Sequence, residues 1–323
     1  MSADLDKIKK IAVVLFNLGG PKNPEDVRPF LFNLFNDKAI ITAPFFIRYF
    51  LANLISFTRK NTAIEIYKNI GGGSPILKLT NDQADALEKM LNENNINAKV
   101  FVSMRYWHPM ANEIMDEVIK YTPDEVVLLP LYPQFSTTTT ESSFNQWDKL
   151  ANKKNFNAKT HRIISYQSEK NFIAAHIDLL NQYKDKFSNS RILFSAHGLP
   201  QKIADLEREI YQDHVEETVA SIVSHIDDDI DYVLCYQSRV GPLKWIGPST
   251  DDEIKRAAED KKDVIIVPVA FVSEHSETLV ELDIEYREEA NKLGIKNYYR
   301  VPALGCHTLY IKSLYSLVNN TLY

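Results

Sequence analysis

Six short, nearly unbroken apolar runs recur along this chain, at Ile11–Phe16, Lys99–Met104, Glu125–Leu129, Arg191–Ser195, Tyr232–Tyr236 and Val264–Val267. Polar residues do not alternate with apolar ones in them, so a strand built from such a run must be covered on both faces. Between the runs lie stretches with helical spacing of apolar positions: Lys78–Asn94, Asn112–Tyr121, Glu169–Lys186, Leu206–Ile226 and Thr278–Leu293. Strand and amphipathic helix in succession predict parallel sheets sheathed by helices, the doubly wound α/β class. At 323 residues the chain has length for two such units.

An internal echo supports two units. Leu15-Phe16-Asn17-Leu18-Gly19-Gly20-Pro21 resembles Leu193-Phe194-Ser195-Ala196-His197-Gly198-Leu199-Pro200, and Val126–Leu131 resembles Val264–Val269. Gly20 and Pro130 are 110 residues apart, whereas Gly198 and Pro268 are 70 apart, so the first unit carries about 40 extra residues, between Pro29 and Pro75. That insertion holds the apolar segment Ile40–Phe57, interrupted by Pro44, Arg48 and Asn53. A spanning helix needs about 20 mainly apolar residues. The segment is therefore expected to line a cleft or lie in a membrane interface, not to cross a bilayer. No signal peptide is expected, because Met1–Lys10 is polar and the run after it is too short.

Composition narrows the function further. Apolar residues at 45% and charged residues at 25% fit an ordinary folded protein. A net charge of −6, with basic clusters no longer than Lys153-Lys154, disfavours nucleic acid as a partner. Two cysteines, Cys235 and Cys306, support no disulfide framework, structural zinc site or four-cysteine iron–sulfur cluster. Both are expected as small buried hydrophobes in a reducing compartment.

Ligands of open α/β sheets bind beyond the carboxyl ends of the strands. That rule puts the loops at Gly19-Gly20, Arg105-Tyr106, Tyr132–Thr140, His197-Gly198, Gln237-Ser238 and Ser273–Glu277 on the functional side. His197 sits at a strand end before Gly198, which lets the backbone turn without a side-chain clash. An imidazole there can take a proton near neutral pH, or can simply be hydrogen-bonded at the sheet edge. In Ser273-Glu274-His275-Ser276-Glu277-Thr278, Ser276 is the expected N-cap of a helix whose first turn favours an acid. Glu277, Glu281 and Glu285 recur every four residues and share one face. Like charges at that spacing repel unless something positive uses them, and a cation path or surface pairing with Lys and Arg would each serve. The spacing does not assemble a resident zinc site, and a sparse oxygen-and-nitrogen set suits a metal in transit. Tyr67, Arg105, Tyr106, Trp107, Tyr132, Phe135 and Trp245 are aromatic and basic cleft candidates that packing alone would also explain. Gly71–Pro75 lacks the Lys-Ser/Thr of a phosphate loop, and Gly19-Gly20-Pro21 fails the dinucleotide pattern.

Seven blocks, in order along nearly the whole chain, resemble ferrochelatase. They are Asn17–Pro21, Gly71–Pro75, Met104–Pro109, Leu131–Thr139, Ser195–Pro200, Gln237–Gly241 with Trp245, and Val269–Asp283. The resemblance implies two Rossmann-like domains facing a central cleft. Residues 1–165 would carry the hydrophobic lip and be joined by the last helix, 307–323; residues 166–306 would carry His197 and Glu277. It implies insertion of ferrous iron into a porphyrin bent between His197 and Glu277, both expected to be catalytic and to meet the metal, with their division of labour open. His275, Glu281 and Glu285 fall on a path for metal or protons. Leu18, Arg59, Tyr67, Ser74, Arg105, Tyr106, Pro200, Ser238 and Trp245 fall on porphyrin-binding positions, with Arg59 and Ser238 suited to propionates. The Asn-Leu-Gly-Gly-Pro start resembles the branch that uses protoporphyrin IX. A coproporphyrin III enzyme and a non-catalytic porphyrin or haem carrier are the alternatives. The C-terminal cysteines of cluster-bearing members are absent, which implies no iron–sulfur cluster and no resident cofactor. Ile40–Phe57 implies peripheral contact with the inner membrane from the cytoplasm, by a chain that can be a monomer.

Overall fold

The computed structural model describes residues 9–206, 209–226, 229–239, 241 and 243–323. Its strands are β1 (Ile11–Asn17), β2 (Ala98–Met104), β3 (Glu125–Pro130), β4 (Lys159–Arg162), β5 (Ser190–His197), β6 (Asp231–Gln237), β7 (Asp263–Pro268) and β8 (Tyr298–Arg300). They form two parallel four-stranded sheets, ordered β2-β1-β3-β4 and β6-β5-β7-β8. The two sheets repeat one topology. In each, the chain steps outward to one edge and then crosses to the other side, so a crevice opens between β1 and β3 and between β5 and β7. The echoed prolines occupy matching places, Pro130 beside Phe16 and Pro268 beside Ser195.

The expected strands are all present, and the most apolar of them are central: β1, β3 and β7 are buried at every position. β4 and β8 were not anticipated. They are four and three residues long, Lys-Thr-His-Arg and Tyr-Tyr-Arg, and each is a sheet edge, where no continuous apolar run is needed.

The helices are α1 (Val27–Phe35), α2 (Phe45–Lys68), α3 (Ile76–Glu93), α4 (Ala111–Tyr121), α5 (Thr140–Lys153), α6 (Lys170–Asn181), α7 (Gln201–Ala204), α8 (Tyr211–Val223), α9 (Thr250–Glu259), α10 (Tyr286–Lys292) and α11 (Thr308–Leu322). Three of the helical stretches read from the sequence differ in detail. Glu169–Lys186 is α6 followed by 3₁₀ turns over Lys184–Asn189. Leu206–Ile226 yields α8, and its residues 207 and 208 lie outside the described residues. Thr278–Leu293 is not a uniform α-helix, because Glu277–Glu285 winds as a π-helix before α10 begins.

Period-two alternation decides where each buried strand residue goes. Ile11, Val13 and Leu15 of β1 join Val127 and Leu129 of β3, Ile192 and Phe194 of β5, and Ile265 and Val267 of β7 in one continuous apolar core. That core runs through α3, α6, α8 and α11. Ala12, Val14 and Phe16 point the other way, onto α4 and α5. Leu193, Val264 and Ile266 likewise face α9 and α10. α11 packs on α3 and α6, and its Tyr310 hydroxyl lies 3.1 Å from that of Tyr166.

The insertion in the first half forms α1 and α2, which pack on each other. α2 leaves Phe46 83% and Phe57 67% exposed, with Phe45, Ile47, Tyr49, Phe50 and Leu54 also in the open. Among the described residues, no helix is long and apolar enough to cross a membrane.

A core shared between the sheets should make unfolding cooperative across the chain. Leu87→Ala empties a fully buried site on α3 and should lower stability by about 2–5 kcal/mol. Far-UV circular dichroism and the exposure of Cys235, a buried thiol in the second half, should report one shifted transition. Two transitions, with Cys235 unmoved, would mean that the halves unfold separately.

Candidate active site

β5 delivers His197 to the carboxyl edge of its sheet, and the neighbouring β6 ends beside it at Gln237. The strands stay close because residue 198 is glycine: a Cβ there would sit 2.8 Å from the Gln237 carbonyl oxygen. From β7 the chain runs through Ser273–Ser276 into the π-helix, whose first residue is Glu277. His197 Nδ1 lies 3.0 Å from Glu277 Oε2. The two side chains are 38% and 26% exposed, so the pair faces open space. With Nδ1 donating to the carboxylate, Nε2 is the nitrogen available to an incoming group.

His275 is buried behind this pair. Its Nδ1 lies 3.1 Å from the Ser273 carbonyl oxygen, to which it can donate, and its Nε2 lies 3.9 Å from Glu277 Oε2. The Phe271 ring lies tilted against the His275 ring at 4.8 Å and stands edge-on to His197 at 6.4 Å.

Glu281 sits on the same helical segment but in different surroundings. Its carboxylate accepts from the Ser238 N–H (2.7 Å), the Ser238 hydroxyl and Gln237 Nε2 (3.0 Å). Ser238 reaches it from a left-handed backbone conformation, φ 63°. Gln237 is in turn fixed by the Ser195 hydroxyl, which donates to its Oε1 at 3.0 Å. Glu285 is exposed to solvent.

Electrostatics separates the three acids. Burial alone would raise Glu277, but the charge of His197, the hydrogen bond from it and the nearby His275 ring hold it far below the usual carboxylate range. Burial would lower His197; the Glu277 carboxylate beside it, with Glu281, raises it instead. Glu281 is raised by burial and by the Glu277 charge, which the Ser238 and Gln237 donors only partly offset. Glu285 is raised by partial burial and by Glu288 and Asp251.

The remaining sequence candidates divide into groups. Tyr67 reaches the site from the end of α2; burial pushes its phenol up to about 12, so it stays neutral. Pro200 and Trp245 pair across an isolated bridge next to Gly198, and the Trp245 indole N–H is buried without a partner. Leu18 and Ser74 flank the opposing loop: the Leu18 carbonyl accepts from the Tyr106 N–H, and Ser74 packs so close to Gly20 that a Cβ there would lie 2.6 Å away. Arg59 is exposed on α2.

Both donors of Ser238 serve Glu281. Tyr106 is 2% exposed and its hydroxyl donates to Asp37 at 2.8 Å, while Arg105 binds Asp37 at 2.7 Å and Ser142 at 3.0 Å. Both are engaged in a polar knot of the first half. Ser276 makes no side-chain cap. Cys235 is buried as expected, but Cys306 is exposed.

Gln83 was missed, since a lone glutamine in an amphipathic helix carries no sequence signal. It is fully buried on α3, donates to the Val272 and Gly305 carbonyls at 3.1 and 2.9 Å, and accepts from the Ser273 hydroxyl at 3.0 Å. It thus ties the first half to the segment that carries His275.

Among solved structures, SirB from Bacillus subtilis, determined with Fe3+, superposes with a TM-score of 0.58 at 11% identity, covering 97% of this chain and 95% of that one. CbiX, described as the terminal enzyme for biosynthesis of sirohaem in denitrifying bacteria, gives 0.52 at 12% identity, covering 98% and 100%. The fold is therefore the one these chelatases share. A profile of the ferrochelatase family matches residues 10–322. Ferrochelatases of Pelagibacter ubique, Caulobacter vibrioides and a Wolbachia strain from Drosophila simulans are 50%, 52% and 49% identical. These alignments cover 96%, 97% and 96% of this chain and 90%, 91% and 99% of theirs. The chain belongs to the ferrochelatase family, whose substrates are a porphyrin and ferrous iron.

The opposed shifts of His197 and Glu277 have a definite sign. A depressed Glu277 contributes stability above its unfolded pKa of about 4.3, lost as pH falls through the folded value. A raised His197 contributes stability fully below about 6.5, lost as pH rises through its folded value. The ion pair is thus strongest between about pH 4.3 and 6.5. The His197 imidazole, followed by NMR, should titrate above 6.5, and Glu277→Gln should lower that midpoint. A midpoint below 6.5 in the unmodified protein would contradict the pair.

Proposed function

We propose that this protein inserts ferrous iron into protoporphyrin IX at the His197–Glu277 pair. The 3.0 Å contact between a histidine and a carboxylate at the open strand ends carries this reading. Metallation removes two pyrrole protons and brings in a dication, so the site must supply both a base and an anion. Glu277, held ionised, is a weak base and a good partner for Fe2+. Glu277 biases His197 toward its protonated form. A dication that takes over the carboxylate removes the charge that raised the imidazole, and its own field lowers the imidazole further. The imidazole then gives its own proton up to water and is free to accept a pyrrole proton in its place. Binding of the metal and creation of the base are thereby one event. Bending of the macrocycle, exposing a nitrogen lone pair, would lower the barrier if the cleft favours the bent form.

His275 orients Glu277 from behind, and Glu281 and Glu285 lead outward as a path for metal or protons. Leu18, Arg59, Tyr67, Ser74, Pro200 and Trp245 line the porphyrin, with Arg59 free to meet a propionate. Arg105 and Tyr106 support that wall through Asp37. The exposed aromatic face of α2 suits a substrate with two vinyl groups delivered from a bilayer. We place the chain in the cytoplasm, peripheral to the inner membrane, with no resident cofactor or cluster. The two sheets, 1–165 with 307–323 and 166–306, act as the two walls of the cleft.

Purified protein given Fe2+ with protoporphyrin IX or coproporphyrin III should metallate the former faster, read as loss of the free-base absorption bands. Faster turnover of coproporphyrin III would reverse the substrate assignment. His197→Ala should abolish metallation with the fold intact, and normal turnover would falsify the mechanism. Glu277→Gln should reduce kcat by at least about a hundredfold with porphyrin affinity largely retained. A carrier without catalysis would turn over neither porphyrin.

Replacing Phe45, Phe46 and Phe50 together by Ala should weaken sedimentation with vesicles. Unchanged partitioning would assign that face to packing alone.

A further inference from the structure

A polar cavity of about 310 Å³ opens in the first half. Its walls come from α1, the start of α2, the loop after β2 and α5, and none comes from β5, β6 or the π-helix. Lys38, Arg48, Arg105 and Lys149 line it against a single carboxylate, Asp37. In a chain of net charge −6 this is a local reversal of sign. Asp37 is fully engaged, accepting from Arg105 at 2.7 Å, from the Tyr106 hydroxyl at 2.8 Å and from the Ser142 hydroxyl at 2.8 Å. Arg48 donates to the carbonyls of Asn36 (2.9 Å) and Ala43 (2.7 Å), which fix its guanidinium without neutralising it. Lys38 and Lys149 have no carboxylate partner among the described residues. With Arg105 matched by Asp37, the charges of Arg48, Lys38 and Lys149 remain uncompensated.

Arg48 also joins this cavity to the lip. It lies in the first turns of α2, with its guanidinium 6.0 Å from the centre of the Phe45 ring. Phe45 and Phe46 beside it are 56% and 83% exposed. A cationic cavity continuous with an exposed aromatic face complements a molecule with an anionic head and an apolar body. Several cations around one small cavity suit a multidentate oxyanion better than a single carboxylate, and guanidinium and ammonium groups are the usual phosphate donors.

We propose that this cavity binds the phosphate headgroup of an anionic phospholipid, so that the lip prefers anionic bilayers. The proposal rests on the membrane reading of α2 given above. The cavity fixes the head while Phe45, Phe46 and Phe50 enter the acyl boundary. Anchoring through head and tail together also sets the orientation of the cleft mouth to the bilayer, which an apolar face alone would leave free to rotate.

The test uses the full chain, sedimented with vesicles of phosphatidylcholine alone or of phosphatidylcholine with phosphatidylglycerol. Lys38→Gln with Lys149→Gln removes two exposed cations of the cavity; Lys89→Gln with Lys120→Gln removes two cations elsewhere. Tighter binding to the anionic vesicles is expected, with about a tenfold or greater loss in the cavity variant. The control variant and all binding to neutral vesicles should change little, and metallation in detergent should be unaffected. Equal binding of the unmodified chain to both vesicles would overturn the proposal and leave the lip reading standing. Binding to neither would overturn both. An equal loss in the control variant would mean diffuse surface charge, not the cavity, and would also overturn it. Inorganic phosphate should not shield Lys38 and Lys149 from amine labelling at concentrations where anionic vesicles do. Equal shielding would identify a soluble phosphate as the ligand and overturn the lipid assignment.

Discussion

The central strands of both sheets have no face they can show to water, and the rest of the fold follows from that constraint. β1, β3 and β7 are buried throughout, so each sheet needs helices on both sides. The outer sides are covered locally, by α4 and α5 on one sheet and α9 and α10 on the other. The inner sides share one covering of α3, α6, α8 and α11. The apolar core is therefore continuous from one sheet to the other. A rigid, close-packed interior is what fixes the strand ends, and it is at those ends that His197 and Gln237 emerge.

Where the chain leaves β7 the ladder stops and backbone groups lose their regular partners. Buried carbonyls in such a segment must be satisfied by something. Two buried glutamines from the first half do so. Gln134 donates to the Val269 carbonyl at 3.1 Å and to the Thr218 hydroxyl at 2.9 Å, and Gln83 donates to the Val272 and Gly305 carbonyls. A neutral amide suits this task, because it can donate twice and accept in a dry interior without the desolvation cost of a charge. The irregular segment leading to His275 and Glu277 is thus held from outside its own half, and the geometry of the pair depends on the whole molecule.

Much of this was legible in the sequence. The central strands announced themselves by unbroken apolar runs, and the echo between Val126–Leu131 and Val264–Val269 found strands that do occupy equivalent positions. His197 and Glu277 were brought forward by a strand-end rule, a repeat of acids and a family likeness, and the fold brings them into contact. The edge strands β4 and β8 were not legible, because half-covered, very short strands have no distinctive pattern. Gln83 and the knot of Asp37, Arg105, Tyr106 and Ser142 were illegible for another reason. They join residues far apart in the chain, and a side chain's partner across the core leaves no trace in local spacing. That Arg105 and Tyr106 both meet Asp37 could not be read from their own neighbourhood in the chain.

The repeat of Glu277, Glu281 and Glu285 takes on its meaning only with the backbone that carries it. A π-helix forms i→i+5 bonds, as the Tyr286 N–H does to the Glu281 carbonyl, and such wide turns are rare because their geometry is less favourable than the α-helix. Here the wide turn carries acids at successive depths with different neighbours. Glu277 has two histidines, His197 bonded to it and His275 close behind; Glu281 has three neutral donors, and Glu285 has water. The repulsion expected between like charges is thereby met by a different means at each position: by positive charge, by a raised pKa, and by solvent. On the proposed inward path, a dication would pass from a hydrated carboxylate, through one whose pKa burial and Glu277 raise, to one kept ionised by its neighbours. The carboxylate held most firmly ionised lies beside His197, and a dication reaching it would drive the imidazolium proton out to water, which frees the imidazole to serve as the base.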